Sequence, residues 1–303
     1  MARAGLADRY ECLAGSTFRT VLPEPVDLII CDHVGFFGFD YGIIALMRDA
    51  RRRFLKPGGA MIPEAIDLVV AGIMSDACLA KAGAWQQAIV PQPFRWLDQL
   101  ARNVRYSHAY TADELISAPV TLGHVDLADE ASDLYRFEAL LTATRAGRFD
   151  GIGGWFDCRL AGEVRMTNSP LAPESIRRSQ AFLPAQESFA VAAGDQIRIA
   201  LRFRADDTMI SWRIEPPGGA PAQQMSTFKS TILTPADLVK QPDRALTLSP
   251  EGQMRAFVLS QIDGTRSGAE IIARVIAQWP DMLPTHQAIA DYVTKVLAQH
   301  CSA

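Results

Sequence analysis

The chain has 303 residues, 49% hydrophobic and 21% charged, which excludes wholesale disorder and collagen-like repeats. Lys plus Arg number 30 against 34 Asp plus Glu, a formal net charge of -4, and the longest like-charge run is Arg51 to Arg53. Neither nucleic acid nor a membrane surface is therefore an expected partner. Five scattered cysteines with no CxxC spacing read as reduced thiols in a cytoplasmic protein without structural zinc. The first twenty residues hold no signal-like apolar run, and no later run approaches the ~18 apolar residues of a membrane span.

In chain order, Val26 to Cys31 (VDLIIC) has the pattern of a strand buried on both faces of a parallel sheet. A loop, Asp32 to Asp40, leads into a helix over Tyr41 to Leu55, with Ile43, Ile44, Met47, Ala50 and Phe54 on one face and arginines in the last turns. The helix is expected to stop at Lys56-Pro57-Gly58-Gly59. Ala60 to Ile73 reads as extended, and Ala77 to Ala88 as helical.

Beyond Pro93, Val-, Leu- and Thr-rich segments are split by Pro119, Gly123, Gly147 and Gly151, as in antiparallel strands joined by turns. Alternation is clearest at Ile197, Ile199, Leu201 and Phe203 against Arg198, Arg202 and Arg204, and the middle third reads as a barrel or sandwich. Pro216 to Pro221 is a breaker cluster. Ser249 and Pro250 then open a helix that runs to Asp263-Gly264, followed by helices near Ser267 to Gln278 and Gln287 to His300. This small helical, winged-helix-like module is slightly acidic, which favours a peptide or protein partner over DNA.

The stretch VDLIICDHVGFFGFDYGIIALMRDARRRFLKPGGAMIPEAIDLVVAGI, Val26 to Ile73, resembles the heart of the protein arginine methyltransferases. In that family a buried strand ends in Glu, an aromatic loop returns to a second Glu, and a Leu-Lys-Pro-Gly-Gly turn follows. Trp155-Phe156-Asp157, Asn168-Ser169-Pro170 and Ala193-Gly194-Asp195 extend the resemblance, which covers roughly residues 5 to 215 with gaps. It implies an α+β chain: a partial Rossmann-like α/β segment (1–75), an antiparallel β-barrel for substrate and dimerisation (76–216), a linker (217–248) and the helical module (249–303).

The resemblance also implies methyl transfer from S-adenosylmethionine to a nitrogen acceptor. Two carboxylates of the family hold the guanidinium by bidentate, charge-assisted hydrogen bonds. Here the first position is Asp32, followed by His33 where the family has tryptophan, and these two are the catalytic candidates. The second is Tyr41, preceded by Asp40; both are substrate-binding candidates, and both equally suit a helix cap. The family's Thr-His-Trp loop falls on Ser175-Ile176-Arg177, without the histidine. Asp32 alternatively reads as a turn-capping carboxylate, His33 as a hydrogen-bonded loop histidine, and Phe36, Phe37 and Phe39 as core beneath the loop.

The family's Gly-rich turn and acidic ribose ligand find no counterpart, so a cofactor-binding half is expected from a separate or upstream polypeptide. A complementary methyltransferase subunit or a homo-oligomer is the expected assembly, the family's dimerisation arm falling on Pro93 to Tyr110. The alternative is a degenerate, non-catalytic scaffold or regulatory subunit.

Overall fold

In the computed structural model, residues 5, 9–129, 132–231, 245 and 247–301 are described. The chain divides into two compact units, Met1–Thr231 and Ile232–Ala303.

In the first unit, β1 (Val26–Ile30) pairs in parallel with β2 (Leu55–Ile62), matching Leu28 to Ala60 and Ile30 to Ile62. A parallel pair needs a crossover, supplied here by a loop and α1 (Ile43–Phe54). Ile43, Ile44, Met47 and Ala50 bury one face of α1, and Arg51 to Arg53 occupy its last turn, where cations complement the helix dipole. The Leu-Lys-Pro-Gly-Gly stretch is not a turn but the first half of β2. Proline is tolerated because β2 has a single ladder partner among the described residues, so the missing N–H breaks no second ladder there.

β3 (Ala65–Ile73) pairs antiparallel with β5 (Val120–Asp126) and β7 (Gly147–Ala161). Together with β4 (Tyr106–His108), β8 (Val164–Thr167) and β9 (Gln180–Val191) they form a six-stranded sheet. Between β3 and β4 lie the short helices α2 (Asp76–Ala82) and α3 (Leu97–Ala101). A second sheet runs in the order β12 (Gln223–Ser226), β11 (Ile210–Glu215), β10 (Gln196–Arg204), β6 (Leu134–Thr142). The alternation in β10 sets its register: Ile197, Ile199, Leu201 and Phe203 face Leu141, Ala139, Phe137 and Tyr135. One core joins the sheets, with Phe149, Ile152, Phe156, Phe203 and Trp212 buried together. The Trp212 indole N–H donates to the Pro184 carbonyl at 2.7 Å, so its polar atom is satisfied.

The ladders leave both sheets open, where a barrel was expected. Their edges meet at a Ser117–Ala143 bridge and through Gln223, whose amide donates to Glu187 O (2.9 Å) and accepts from Glu187 N (3.0 Å). β12 has four residues and follows Pro216, Pro217 and Pro221, too few free N–H groups to complete a seam. β12 also lies within the stretch 217–248 read as linker, of which 232–244 and 246 fall outside the described residues.

The second unit packs α4 (Pro250–Ser260), α5 (Gly268–Gln278) and α6 (His286–His300) around Met254, Val258, Ile271, Val275, Ile289 and Val293. Each helix is capped by its own sequence: Ser249 accepts from Gly252 N, Ser267 forms a capping box with Glu270, and Thr285 accepts from Ala288 N. The described residues of this unit contain three helices and no strand. No helix among the described residues is long and apolar enough to cross a membrane.

Candidate functional site

The chain leaves β1 at Cys31, whose N–H donates to Ile62 O, and the next ten residues form a tight loop packed against both sheets. Its aromatic residues are the anchors. Phe37 and Phe39 are fully buried, and Phe39 stacks on Phe203 with ring centroids 3.9 Å apart. Phe37 lies over Gly154, where a Cβ would come within 2.4 Å of its ring, so only glycine on β7 leaves it room. Phe37 and Phe39 thus belong to the core beneath the loop, and Phe36 packs against it, as read from the sequence.

Asp40 is fully buried and closes the loop on itself. Its Oδ2 accepts from Phe36 N at 3.0 Å and Phe37 N at 2.6 Å. Gly35, at φ 60°, permits this approach, because a Cβ there would sit 2.2 Å from the Asp40 side chain. Asp40 Oδ1 has Arg105 Nη1 at 2.9 Å, yet no donor is aligned on it. That contact is one of charge rather than a directed hydrogen bond. Arg105 also grips Asp207 with both terminal nitrogens, Nη1 to Oδ1 at 3.2 Å and Nη2 to Oδ2 at 3.1 Å, and lies over the Phe36 and Phe39 rings.

A guanidinium of the chain itself is thus held between two carboxylates. Burial pushes the Asp40 carboxyl above the ordinary range, and Arg105 with the two N–H donors offsets this only in part. Neither Asp40 nor Tyr41 caps α1 through its side chain. The β10–β11 hairpin serves instead: Ala205 O accepts from Ala45 N at 3.2 Å, and Asp207 Oδ2 accepts from Tyr41 N at 3.1 Å.

Asp32 points outward, its side chain 77% exposed at the carboxyl end of β1. Its one described partner is Arg178 Nη2 at 3.5 Å; Arg178 Nη1 also donates to Gly35 O at 3.1 Å. His33 and Tyr41 are exposed and meet edge to face, ring centroids 6.2 Å apart, with Tyr41 at φ 59°. The fold therefore brings Asp32, His33 and Tyr41 to one surface and turns Asp40 away from it.

Three further residues organise the loop, two of which the sequence did not single out. Arg105 and Asp207 come from distant turns, and no local motif marks them, although a non-glycine residue at φ 56° such as Asp207 signals constraint once the backbone is known. Asn168 is fully buried: its amide donates to Phe36 O and Ser179 O and accepts from Phe156 N. Asn168-Ser169-Pro170 was read as a family landmark; its physical role is this junction.

No family model matches the chain. The arginine N(omega)-methyltransferase of Streptomyces achromogenes subsp. streptozoticus is 25% identical over 185 residues, 59% of this chain and 50% of that protein. The PRMT10 protein arginine N-methyltransferase of Oryza sativa subsp. japonica is 40% identical over 77 residues, 25% of this chain and 20% of that protein. Among solved structures, the Trypanosoma brucei PRMT1 enzyme-prozyme heterotetrameric complex with AdoHcy superposes at a TM-score of 0.64 with 19% identity, covering 74% of this chain and 75% of that one.

The chain resembles the protein arginine methyltransferases in sequence and in fold. Arabidopsis thaliana protein arginine methyltransferase 10, in an open conformation, shares the fold at a TM-score of 0.60 and 18% identity over 75% of this chain and 79% of that one. The chain spans about half to two thirds of the length of the first curated relatives it matches.

The turn after β1 is filled by Asp40 and Phe37. A cavity of about 750 Å3 lies between the end of α1, β2, Asp126 and Arg159, and neither Asp32 nor His33 lines it. No cluster of three or more His, Cys, Asp or Glu among the described residues is placed to hold a metal.

Proposed function

We propose that the chain is the acceptor-binding part of an S-adenosylmethionine-dependent N-methyltransferase whose cofactor-binding half is a separate or upstream polypeptide. The observation that carries this reading is Asp32: an exposed carboxylate at the carboxyl end of a parallel strand, where open α/β sheets place their chemistry, at the position of the family's first acceptor-binding Glu. In this reading Asp32 orients the acceptor nitrogen and His33 takes its proton. Tyr41, beside His33, contacts the acceptor, and Asp40 acts from beneath by fixing the loop.

The sheet supports a complementary half. Among the described residues β1 has β2 as its one ladder partner, and its Leu28 (43% exposed) and Ile30 (69% exposed) remain uncovered. An apolar edge strand of this kind is a template for further pairing, in a homo-oligomer or with a complementary subunit. The exposed Trp85, Phe94 and Trp96 around the expected dimerisation arm add a second apolar surface.

A specific feature favours a second reading, a non-catalytic scaffold or regulatory subunit. The one exposed carboxylate of the loop already has an intramolecular guanidinium, Arg178, beside it, and tyrosine replaces the second carboxylate. Transfer of a radiolabelled methyl group to arginine-rich peptides separates the two readings. The chain alone should give none, and the chain expressed with the coding sequence adjacent to it in its genome should give incorporation, weak into arginine because Tyr41 stands where the second carboxylate would be. A stable complex that fails to label any acceptor would establish the scaffold instead.

A further inference from the structure

The outward face of the second sheet carries charge that the site does not use. Three of its strands present Arg136 on β6, Arg198, Arg202 and Arg204 on β10, and Arg213 on β11, all exposed. The register sets Arg136 directly opposite Arg202, and Arg202 directly opposite Ser211. Like charges facing each other across a ladder destabilise a sheet. Arg213 and Arg198 have Glu215, at 2.9 and 3.7 Å, and Arg204 has Asp206 at 3.3 Å. Arg136 and Arg202 have no hydrogen bond or ion pair to any described residue.

The same face is indented. Ala200 lies between Glu138 and Arg213 in register, and its small side chain floors a shallow cavity of about 230 Å3 walled by Glu138, Arg198, Arg202, Arg213 and Glu215. A second, smaller depression continues from Ala200 and Arg202 to Ser211, Arg213 and Gln224. The Arg202 guanidinium in this groove, Arg136 opposite it at its edge, the Ser211 hydroxyl and the groove itself together describe a receptor for carboxylates.

We propose that this face binds an acidic, extended segment of a partner polypeptide. Spacing supports it: Arg202 and Arg213 are diagonal neighbours on adjacent strands, about 7–8 Å apart. Side chains on one face of an extended peptide repeat at about 6.6–6.8 Å, so carboxylates at alternate positions meet successive arginines, each capable of a bidentate contact. Glu138 and Glu215 in the walls select against a uniform polyanion, and no aromatic side chain lies among the residues lining the groove to stack a base, which disfavours single-stranded nucleic acid.

The test is fluorescence anisotropy of a labelled peptide of alternating Glu and Ser, titrated with the full chain at low salt. The wild type is expected to bind, and Arg136→Ala/Arg202→Ala to bind at least about tenfold more weakly, with Arg159→Ala on the other sheet as an unaffected control. Because the double substitution relieves like-charge repulsion, its Tm should equal or exceed that of the wild type, which excludes misfolding as the cause. Equal peptide affinity of wild type and double variant would overturn the proposal. So would tighter binding of labelled single-stranded oligonucleotide than of the peptide.

Discussion

Arg105→Met is the most informative perturbation of the loop. Methionine keeps the length and apolar stem of arginine but leaves Asp40 (0% exposed) and Asp207 (12% exposed) without their shared cation. Breaking a buried ion pair by removing one partner costs about 3–5 kcal/mol. Loss of the contacts to Phe36 and Phe39, each about 0.5–1 kcal/mol, is largely offset by sulfur–aromatic contacts of about 0.3–1.5 kcal/mol. The net expectation of about 3–5 kcal/mol is a large share of the about 5–15 kcal/mol that stabilises a typical domain. The sign of the pH effect follows from Asp40. A carboxyl whose folded pKa is raised favours the fold in its neutral form, and that contribution is lost as pH rises through the folded value. Without Arg105 the loss is greater, so the deficit of the variant should shrink on acidification from about pH 8 to about pH 5. Urea unfolding followed by tryptophan fluorescence, with buried Trp212 as reporter, measures both effects. A loss below about 1 kcal/mol near neutral pH, or a deficit that grows on acidification, would refute the claim that Arg105 holds the buried carboxylate pair.

Gly154→Ala should destabilise the first unit by about 1–3 kcal/mol, because the new methyl drives Phe37 from under the loop; a thermal melt unchanged within a degree would contradict this. Ser267→Ala removes the capping box of α5 and should cost the helical unit about 1 kcal/mol, read from the urea midpoint of far-ultraviolet circular dichroism. Glu114 is pushed up by burial but pulled further down by Ser75, the Thr111 N–H and His108. Its contribution is therefore present above the ordinary Glu value of 4.5 and lost as pH falls through the lower folded value. Glu114→Gln should flatten that acid limb of the stability profile.

The strand, loop and helix of residues 26–54 were legible because apolar runs and helical spacing are local signals, as were the caps at Ser249 and Ser267, but burial of β1 on both faces was misread: none of its residues is buried, because β2 is its one ladder partner among the described residues. The inward turn of Asp40 was not legible. It depends on Gly35 at positive φ and on Arg105 and Asp207, which are separated by 102 residues and meet only when the β10–β11 hairpin folds over α1. Closure of the sheets failed for a similar reason: alternation identifies strands and faces, whereas a seam depends on how many free N–H groups two distant edges retain. The Leu-Lys-Pro-Gly-Gly stretch reads locally as a breaker, and only its place beside β1 makes it a strand.

The most direct measurement is radiolabelled methyl transfer to arginine-rich peptides by the chain co-expressed with the coding sequence adjacent to it, compared between wild type and Asp32→Asn. Asparagine keeps the shape of Asp32 and removes its charge, so a carboxylate that orients the acceptor predicts a fall of at least about a hundredfold with an unchanged Tm. Wild-type rates for Asp32→Asn, or methyl transfer by the isolated chain, would contradict the account.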